Sequence, residues 1–474
     1  MLKSKLFRSN LMSNKANLFL SFLFLCLNTR SAAQSKQIFP LALSENQRYL
    51  IDQQQKPFLI KEFSAWGLIQ ALSEKDEAAF LDSIKKKGFN TVMVSIISNA
   101  PSQMGGNPPY WQGISPFLVK WDFATPNEIY FQHVDRFFKM AEQKGIFVLA
   151  VPCYLGYRDD PSQGWSDEVL NPSNDSLKML QYGTFLGKRY QNAPNLLWVA
   201  GGDNNAEGKY FPYIKNLITG IKSSGDKHLW TGHFDTNLAV YWSTDNPLYA
   251  DQMDIDGLYV WTESVMFEKG PQYRSAIQQY KKGKMIIQLD QSYEHDVPHY
   301  ADNENYQWIR RKNYGGLLSG CAGTSFSAGQ IDNQCYSFKN WKPLMNTQGM
   351  REVAHCLRLF DALPWHKLVP DTSTDIILSD RLAQFGSRDF ICAARATDGS
   401  FYVMYLPKGQ PFEINVKKIS GKPMRMHWYN PRTGVALKIG VADTKERFGV
   451  APPSEEDWVL VFDNDPAFKM PNKL

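Results

Sequence analysis

From Gln47 to about Asp361 the chain alternates short apolar runs with stretches of helical period. That alternation restricts the fold more than any other feature. Thr91–Ile97 is rich in β-branched residues, and Ile146–Val151 and Leu196–Ala200 carry no charge. Leu229–Thr231, Gly257–Val260 and Met285–Leu289 continue the series. Such runs read as parallel strands buried on both faces. The stretches between them read as amphipathic helices. Ser73-Glu74-Lys75-Asp76 resembles a capping box, Phe80, Leu81 and Ile84 form the stripe behind it, and Gly88 ends it. Asn127–Lys144 sets Phe131, Val134, Phe137, Phe138 and Ala141 on one face before Gly145. Ser176–Tyr190, Tyr210–Ser223, Tyr306–Lys312 and Met350–Phe360 repeat the pattern. Arg48–Ile51 and Gln55–Ile60 read as a leading hairpin and first strand, and Gly315–Ser319 as the eighth strand. Eight strand–helix alternations predict a (β/α)8 TIM barrel. A doubly wound sheet ranks lower, because no GxGxxG or P-loop follows any strand.

After Trp365 the period shortens. Ile376-Ile377, Asp389–Arg395, Phe401–Leu406, Glu413–Val416, Arg425–Tyr429 and Trp458–Phe462 are split by turns such as Asp398-Gly399 and Asn430-Pro431-Arg432-Thr433-Gly434. This spacing predicts a C-terminal antiparallel β-sandwich of about 100 residues. The expected division is a signal peptide at 1–33, the barrel at 34–370 and the sandwich at 371–474.

The signal peptide is read from Lys3, Lys5, Arg8 and Lys15 ahead of an apolar segment, Leu18 to Leu27, and then Ser31-Ala32-Ala33. The apolar segment is too short to span a bilayer stably, so the expected location is exported, with no stable membrane insertion. Residues 1–33 hold five Lys or Arg and no acid, so the formal net charge of +5 falls to 0 without them. A neutral chain gives no reason to expect a nucleic-acid partner. The cysteines beyond this segment, Cys153, Cys321, Cys335, Cys356 and Cys392, show no CxxC pair, and no metal site or cofactor is expected.

A barrel keeps its chemistry at the carboxyl ends of its strands. Asn195–Asp203 is a core strand ending in Gly201-Gly202-Asp203, where two glycines permit a sharp turn. Asp290 follows the seventh strand, Glu263 the sixth, and Glu62 and Glu294 lie on the same side. Two carboxyls across a sugar ring cleave a glycosidic bond, one as proton donor and the other as nucleophile or base. Strands four and seven stand on opposite sides of an eight-stranded ring, which pairs Asp203 with Asp290. Each acid also has a plainer reading, as a helix cap or a loop acid. Trp66, Asn204, His233, Trp261 and Tyr293 stand near the same strand ends and are candidate substrate contacts, and Tyr110, Trp111 and Tyr154 follow strand positions as further rings that could line a sugar pocket, with packing as the plainer reading of each ring. No GxSxG elbow points to an esterase.

The segments Gln55–Trp66, Lys87–Asn90, Tyr130–Asp135, Pro194–Asp203, Lys284–Glu294, Ala362–Trp365 and Leu368–Asp371, in this order and spacing, resemble the apiosidase-like glycoside hydrolases of family 140. Members of that family carry a C-terminal domain labelled collagen-binding. The resemblance implies a retaining glycosidase acting on an oligo- or polysaccharide. It assigns the acid/base to Asp203, at the end of the Trp-x-x-Gly-Gly-Asp strand, and the nucleophile to Asp290, by alignment on Tyr293-Glu294. The sequence departs from the family at three places. Asp290 stands where the family has Glu, Glu62-Phe63 where it has Gly-Asp, and Gly257–Trp261 where a Gln-Ser-Gly-His run is common. Glu62 or Glu263 would then supply the missing carboxylate reach. The departures keep open a second reading, a non-catalytic carbohydrate-binding protein on a hydrolase scaffold.

Overall fold

In the computed structural model the described residues are 38–97, 111–156, 164–234, 242–259, 272–289, 292–294, 302–328, 338, 340–373, 375–378 and 384–471, with only the backbone described at 292–293 and 302–305. The expected signal peptide lies outside them. The chain from Phe39 onward forms one unit.

Eight parallel strands make a ring: β1 (Ile60–Ser64), β2 (Thr91–Ser95), β3 (Phe147–Val151), β4 (Leu196–Gly201), β5 (Trp230–His233), β6 (Asp256–Leu258), β7 (Ile286–Gln288) and β8 (Gly323–Ser327). β8 pairs with β1, and β1 through β5 pair in chain order. β6 pairs with β7. Backbone bonds from Ile255 N to Trp230 O (3.1 Å) and from Ala322 N to Ile286 O (2.8 Å) join that pair to β5 and β8.

Among the described residues, seven helices of nine or more residues follow strands of the ring: α1 (Glu74–Lys86), α2 (Glu128–Lys144), α3 (Ser176–Tyr190), α4 (Phe211–Ser223), α5 (Gln272–Tyr280), α6 (Asp302–Leu318) and α7 (Gln348–Ala362). Their ends are chemically marked. Ser73 caps α1 through Asp76 N, and Asn127 caps α2 through Ile129 N. Gly145, at φ 69°, ends α2 in the left-handed conformation that an L side chain resists. Among the described residues, the β5–β6 connection holds only two 3-10 turns, Ser243–Asp245 and Ala250–Gln252.

Two expectations need correction. The first strand is Ile60–Ser64, not Gln55–Ile60; Pro57–Phe58 instead pairs antiparallel with Leu50–Ile51. The eighth strand is Gly323–Ser327, and Gly315–Ser319 belongs mainly to the end of α6. Glycines normally weaken a helix. Here Gly316 permits close packing, since a Cβ on it would sit 1.8 Å from Gln288 Nε2 on β7.

The C-terminal part is a six-stranded antiparallel sheet: β9 (Leu368–Pro370), β10 (Cys392–Ala396), β11 (Phe401–Leu406), β13 (Met424–Tyr429), β14 (Ala436–Ala442) and β16 (Trp458–Asp463), in the order β9-β10-β11-β16-β13-β14. A small sheet of β12 (Phe412–Ile414) and β15 (Phe448–Val450) joins it. One face of the large sheet, with Val403, Tyr405 and Val461, packs on Tyr314 and Leu317 of α6 and Leu359 and Phe360 of α7. The other face, with Tyr402, Met404 and Leu460, packs on Phe412 and Ile414.

A buried ionic cluster crosses the first of these contacts. Arg310 of α6 donates Nε to Asp457 Oδ2 at 2.7 Å and Nη1 to Glu352 of α7 at 2.5 Å. Arg432 Nη1 lies 2.7 Å from Asp457 Oδ1. Burial would raise the Asp457 carboxyl, but the Arg310 charge and its hydrogen bonds win and hold it low. Removing one partner of a buried pair strands the others without a counterion. Arg310→Met should therefore destabilise the protein by about 3 kcal/mol. Urea unfolding measures this, and a loss below about 1 kcal/mol would contradict the role given to the cluster.

Candidate active site

The barrel strands alternate by the ordinary pleat. Phe63, Val92, Val94, Val148, Ala150, Trp198, Ala200, Trp230 and Phe326 join the cluster under the helices. Their neighbours Glu62, Ser64, Met93, Leu149, Leu197, Val199, Thr231, His233 and Ser325 therefore point into the ring. The top of this interior, at the carboxyl ends of the strands, is where Asp203 arrives.

Asp203 reaches that position by a turn that few sequences permit. Gly201 and Gly202 have φ of 88° and 98°, and Asp203 itself has φ of 54°. Asp tolerates this region better than a β-branched residue, but at some cost. Gly201 pairs with His233 across β4 and β5, and Gly202 N donates to His233 O at 2.7 Å. On the β3 side, Leu155 N donates to Gly201 O (3.4 Å) and Gly156 N to Gly202 O (3.1 Å). The turn is thus held from both flanks.

Tyr154 and His233 meet the Asp203 carboxylate, and two further rings pack on them. Tyr154 Oη donates to Oδ2 at 2.5 Å. His233 Nδ1 lies 3.3 Å from Oδ1 and accepts the Asp203 backbone N–H at 3.4 Å. Tyr259 stacks on His233 with centroids 3.8 Å apart, and Trp66 meets His233 edge-on at 5.2 Å and Tyr154 at 5.0 Å. The Asp203 side chain keeps 14% of its surface exposed, whereas His233 keeps none. Burial pushes the His233 imidazole below the ordinary histidine range, against the opposing pull of Asp203.

The other residues expected at the mouth divide. Glu62 stands in the middle of β1, because that strand begins later than expected. It is fully buried, with Oε1 accepting from Ser64 Oγ at 2.8 Å and Oε2 from Ser325 Oγ. Glu294 is buried and turned toward α7, where Oε1 accepts the Gly349 N–H at 2.8 Å. Asn204 accepts the Ala206 N–H at 2.8 Å in a local turn. Asp290, Trp261 and Glu263 lie outside the described residues, and only the backbone of Tyr293 is described. The sequence does not single out Tyr259, and it marks Tyr154 only as a pocket-lining ring. Tyr154 lies three residues beyond β3, and no spacing in the sequence ties its hydroxyl to Asp203.

Among the described residues no group of three or more His, Cys, Asp or Glu is placed to hold a metal ion. Burial raises the Cys153 and Cys356 thiols, so both are inert packing groups, and Cys335 lies outside the described residues.

This geometry has two measurable consequences. A Cβ on Gly202 would sit 2.3 Å from Tyr154 Cδ2 at a φ no L side chain favours. Gly202→Ala should lower stability by about 1 to 3 kcal/mol, and a melting temperature equal to wild type would refute the close approach. Second, the unfolded chain takes a proton on His233 below about pH 6.5 that the folded site resists. Stability is therefore lost through this group as pH falls from neutral. In His233→Asn the melting temperature should depend less steeply on pH between about 7 and 5, and equal slopes would count against it.

Comparison with known proteins agrees with the geometry. Residues 44–367 match the family model described as "Apiosidase-like, catalytic domain", and residues 369–463 match one described as "Putative collagen-binding domain of a collagenase". A solved glycoside hydrolase superposes with a TM-score of 0.73 at 22% identity, covering 91% of this chain and 98% of its own. A glycoside hydrolase family 5 structure from Bacteroides vulgatus ATCC 8482 superposes with a TM-score of 0.74 at 21% identity, covering 92% and 99%. No curated protein matches the chain. Because the catalytic-domain match spans well over half of its length, the chain belongs to the apiosidase-like glycoside hydrolase family and is a glycosidase.

Proposed function

We propose that this glycosidase is exported and cleaves a plant or complex glycan by a two-carboxylate, retaining reaction, with Asp203 as acid/base and Asp290 as nucleophile. One observation carries the reading. Asp203 is held at the carboxyl end of β4 by three successive residues of positive φ, with its carboxylate between Tyr154 and His233. A strained turn at a strand end is seldom kept for packing alone.

The reaction runs in two steps. Protonated Asp203 gives its proton to the glycosidic oxygen as the bond from that oxygen to the anomeric carbon breaks. The bonding pair leaves with the oxygen, and the Asp290 carboxylate bonds to the anomeric carbon. Water then attacks that carbon, passes a proton to the Asp203 carboxylate and releases Asp290. A retaining pair stands about 5 to 5.5 Å apart. Asp in place of Glu withdraws the nucleophile by about 1.5 Å, which the backbone after Leu289 must recover. The Ser31-Ala32-Ala33 segment supports export.

Hydrolysis of a panel of plant oligosaccharides and aryl glycosides tests the assignment. Asp203→Asn and Asp290→Asn should each lower kcat/KM by roughly 100-fold or more. If both variants keep wild-type rates on a substrate the wild type cleaves, the two carboxylates are wrongly assigned.

A further inference from the structure

Resting on that reading of Asp203, we propose that Tyr154 is the positioning residue for the acid/base. Its phenol fixes which way the Asp203 carboxyl faces, and through this the proton transfer to the leaving oxygen. Asp203 has two carboxyl oxygens in unlike surroundings. Oδ1 is buried against His233 Nδ1 at 3.3 Å and accepts no hydrogen bond among the described residues. His233 Nδ1 already accepts the Asp203 backbone N–H on its one lone pair, so this nitrogen carries no proton to donate to Oδ1. Only Oδ2 has a fixed donor among the described residues, and that donor is Tyr154 Oη at 2.5 Å. Without it, no described donor holds the carboxyl against rotation about its single bond to the backbone.

The tyrosine is itself built into place. Its ring lies against Gly202, where any side chain would displace it, and its carbonyl accepts the Trp165 N–H at 2.9 Å. The next two residues donate to the carbonyls of Gly201 and Gly202. The loop after β3 therefore travels with the turn after β4, and the hydroxyl keeps its register with the acid. The ring packs on Trp66 with or without the hydroxyl, which separates packing from positioning in an experiment.

Tyr154→Phe keeps the ring and removes only the donor. In crystal structures of the full chain at one pH, the Asp203 carboxyl should turn away from its wild-type direction in the variant. In kinetics, kcat/KM on a cleaved disaccharide should fall roughly 10- to 100-fold. On the matching 2,4-dinitrophenyl glycoside it should change by less than about threefold, because that leaving group departs without a proton. Equal melting temperatures exclude a folding effect. An unmoved carboxyl, or an equal loss on both leaving groups, overturns the proposal. A wild type inert on every sugar tried would instead sink the catalytic reading of Asp203, while the crystal comparison still decides the positioning.

Discussion

A parallel sheet has two apolar faces, and this molecule depends on covering both. Curling into a ring turns one face inward, where Leu149, Leu197, Val199 and Ile287 meet. The helices cover the other. The inward face is not wholly apolar. Glu62, Ser64 and Ser325 sit together across the β8–β1 seam, with the carboxylate satisfied by both hydroxyls. A buried carboxylate survives only with such donors. The seam that closes the ring is thus polar, while the β3–β4 side is packed. The ring also brings every strand's carboxyl end to one rim, so that residues from β3, β4, β5 and β6 can touch although they lie far apart along the chain.

How much of the fold is legible in the sequence depends on how local each signal is. The capping serine, the αL glycine after α2 and the uncharged strands are local, and they stand where the residues say. The leading hairpin and the first strand read out of register because Gln55–Ile60 and Ile60–Ser64 are both extended, and only the partner strand separates them. The eighth strand reads too early because Gly315-Gly316 looks like a break. What requires Gly316 is Gln288 on a distant strand, which no local pattern reveals.

The site shows the same division. Gly201-Gly202-Asp203 at the end of an apolar run announces a sharp turn and an acid at the rim. The aromatic arc around it does not announce itself. The sequence marks Tyr154 only as a ring that could line a pocket and Tyr259 not at all, and only the fold sets one on Asp203 and the other on His233. Glu62 and Glu294 show the converse. Both are acids near strand ends in the sequence, yet Glu62 is buried within β1 with a serine hydroxyl on each oxygen, and Glu294 is buried against α7 with Oε1 on the Gly349 N–H and Oε2 without a donor among the described residues. The fold, not the spacing, decides which acid reaches the rim.

The C-terminal sheet belongs to the same economy of faces. α5, α6 and α7 each carry apolar residues on the side away from the ring: Tyr273 and Ile277, Tyr314 and Leu317, Leu359 and Phe360. A helix of a lone barrel would present polar groups there. The sheet supplies the missing partner, with Tyr405 stacked on Tyr314 at 5.2 Å and Phe390 on Tyr273 at 5.0 Å. The bond from Tyr429 Oη to His355 O, at 2.8 Å, adds a polar tie to α7. α5 and α6 precede and follow β7 in the chain, so the sheet packs on helices next to the strand that ends ahead of the proposed nucleophile. Backbone bonds between neighbouring loops fix the Asp203 turn, while α6 and α7 lean on a packed sheet and the Arg310 cluster.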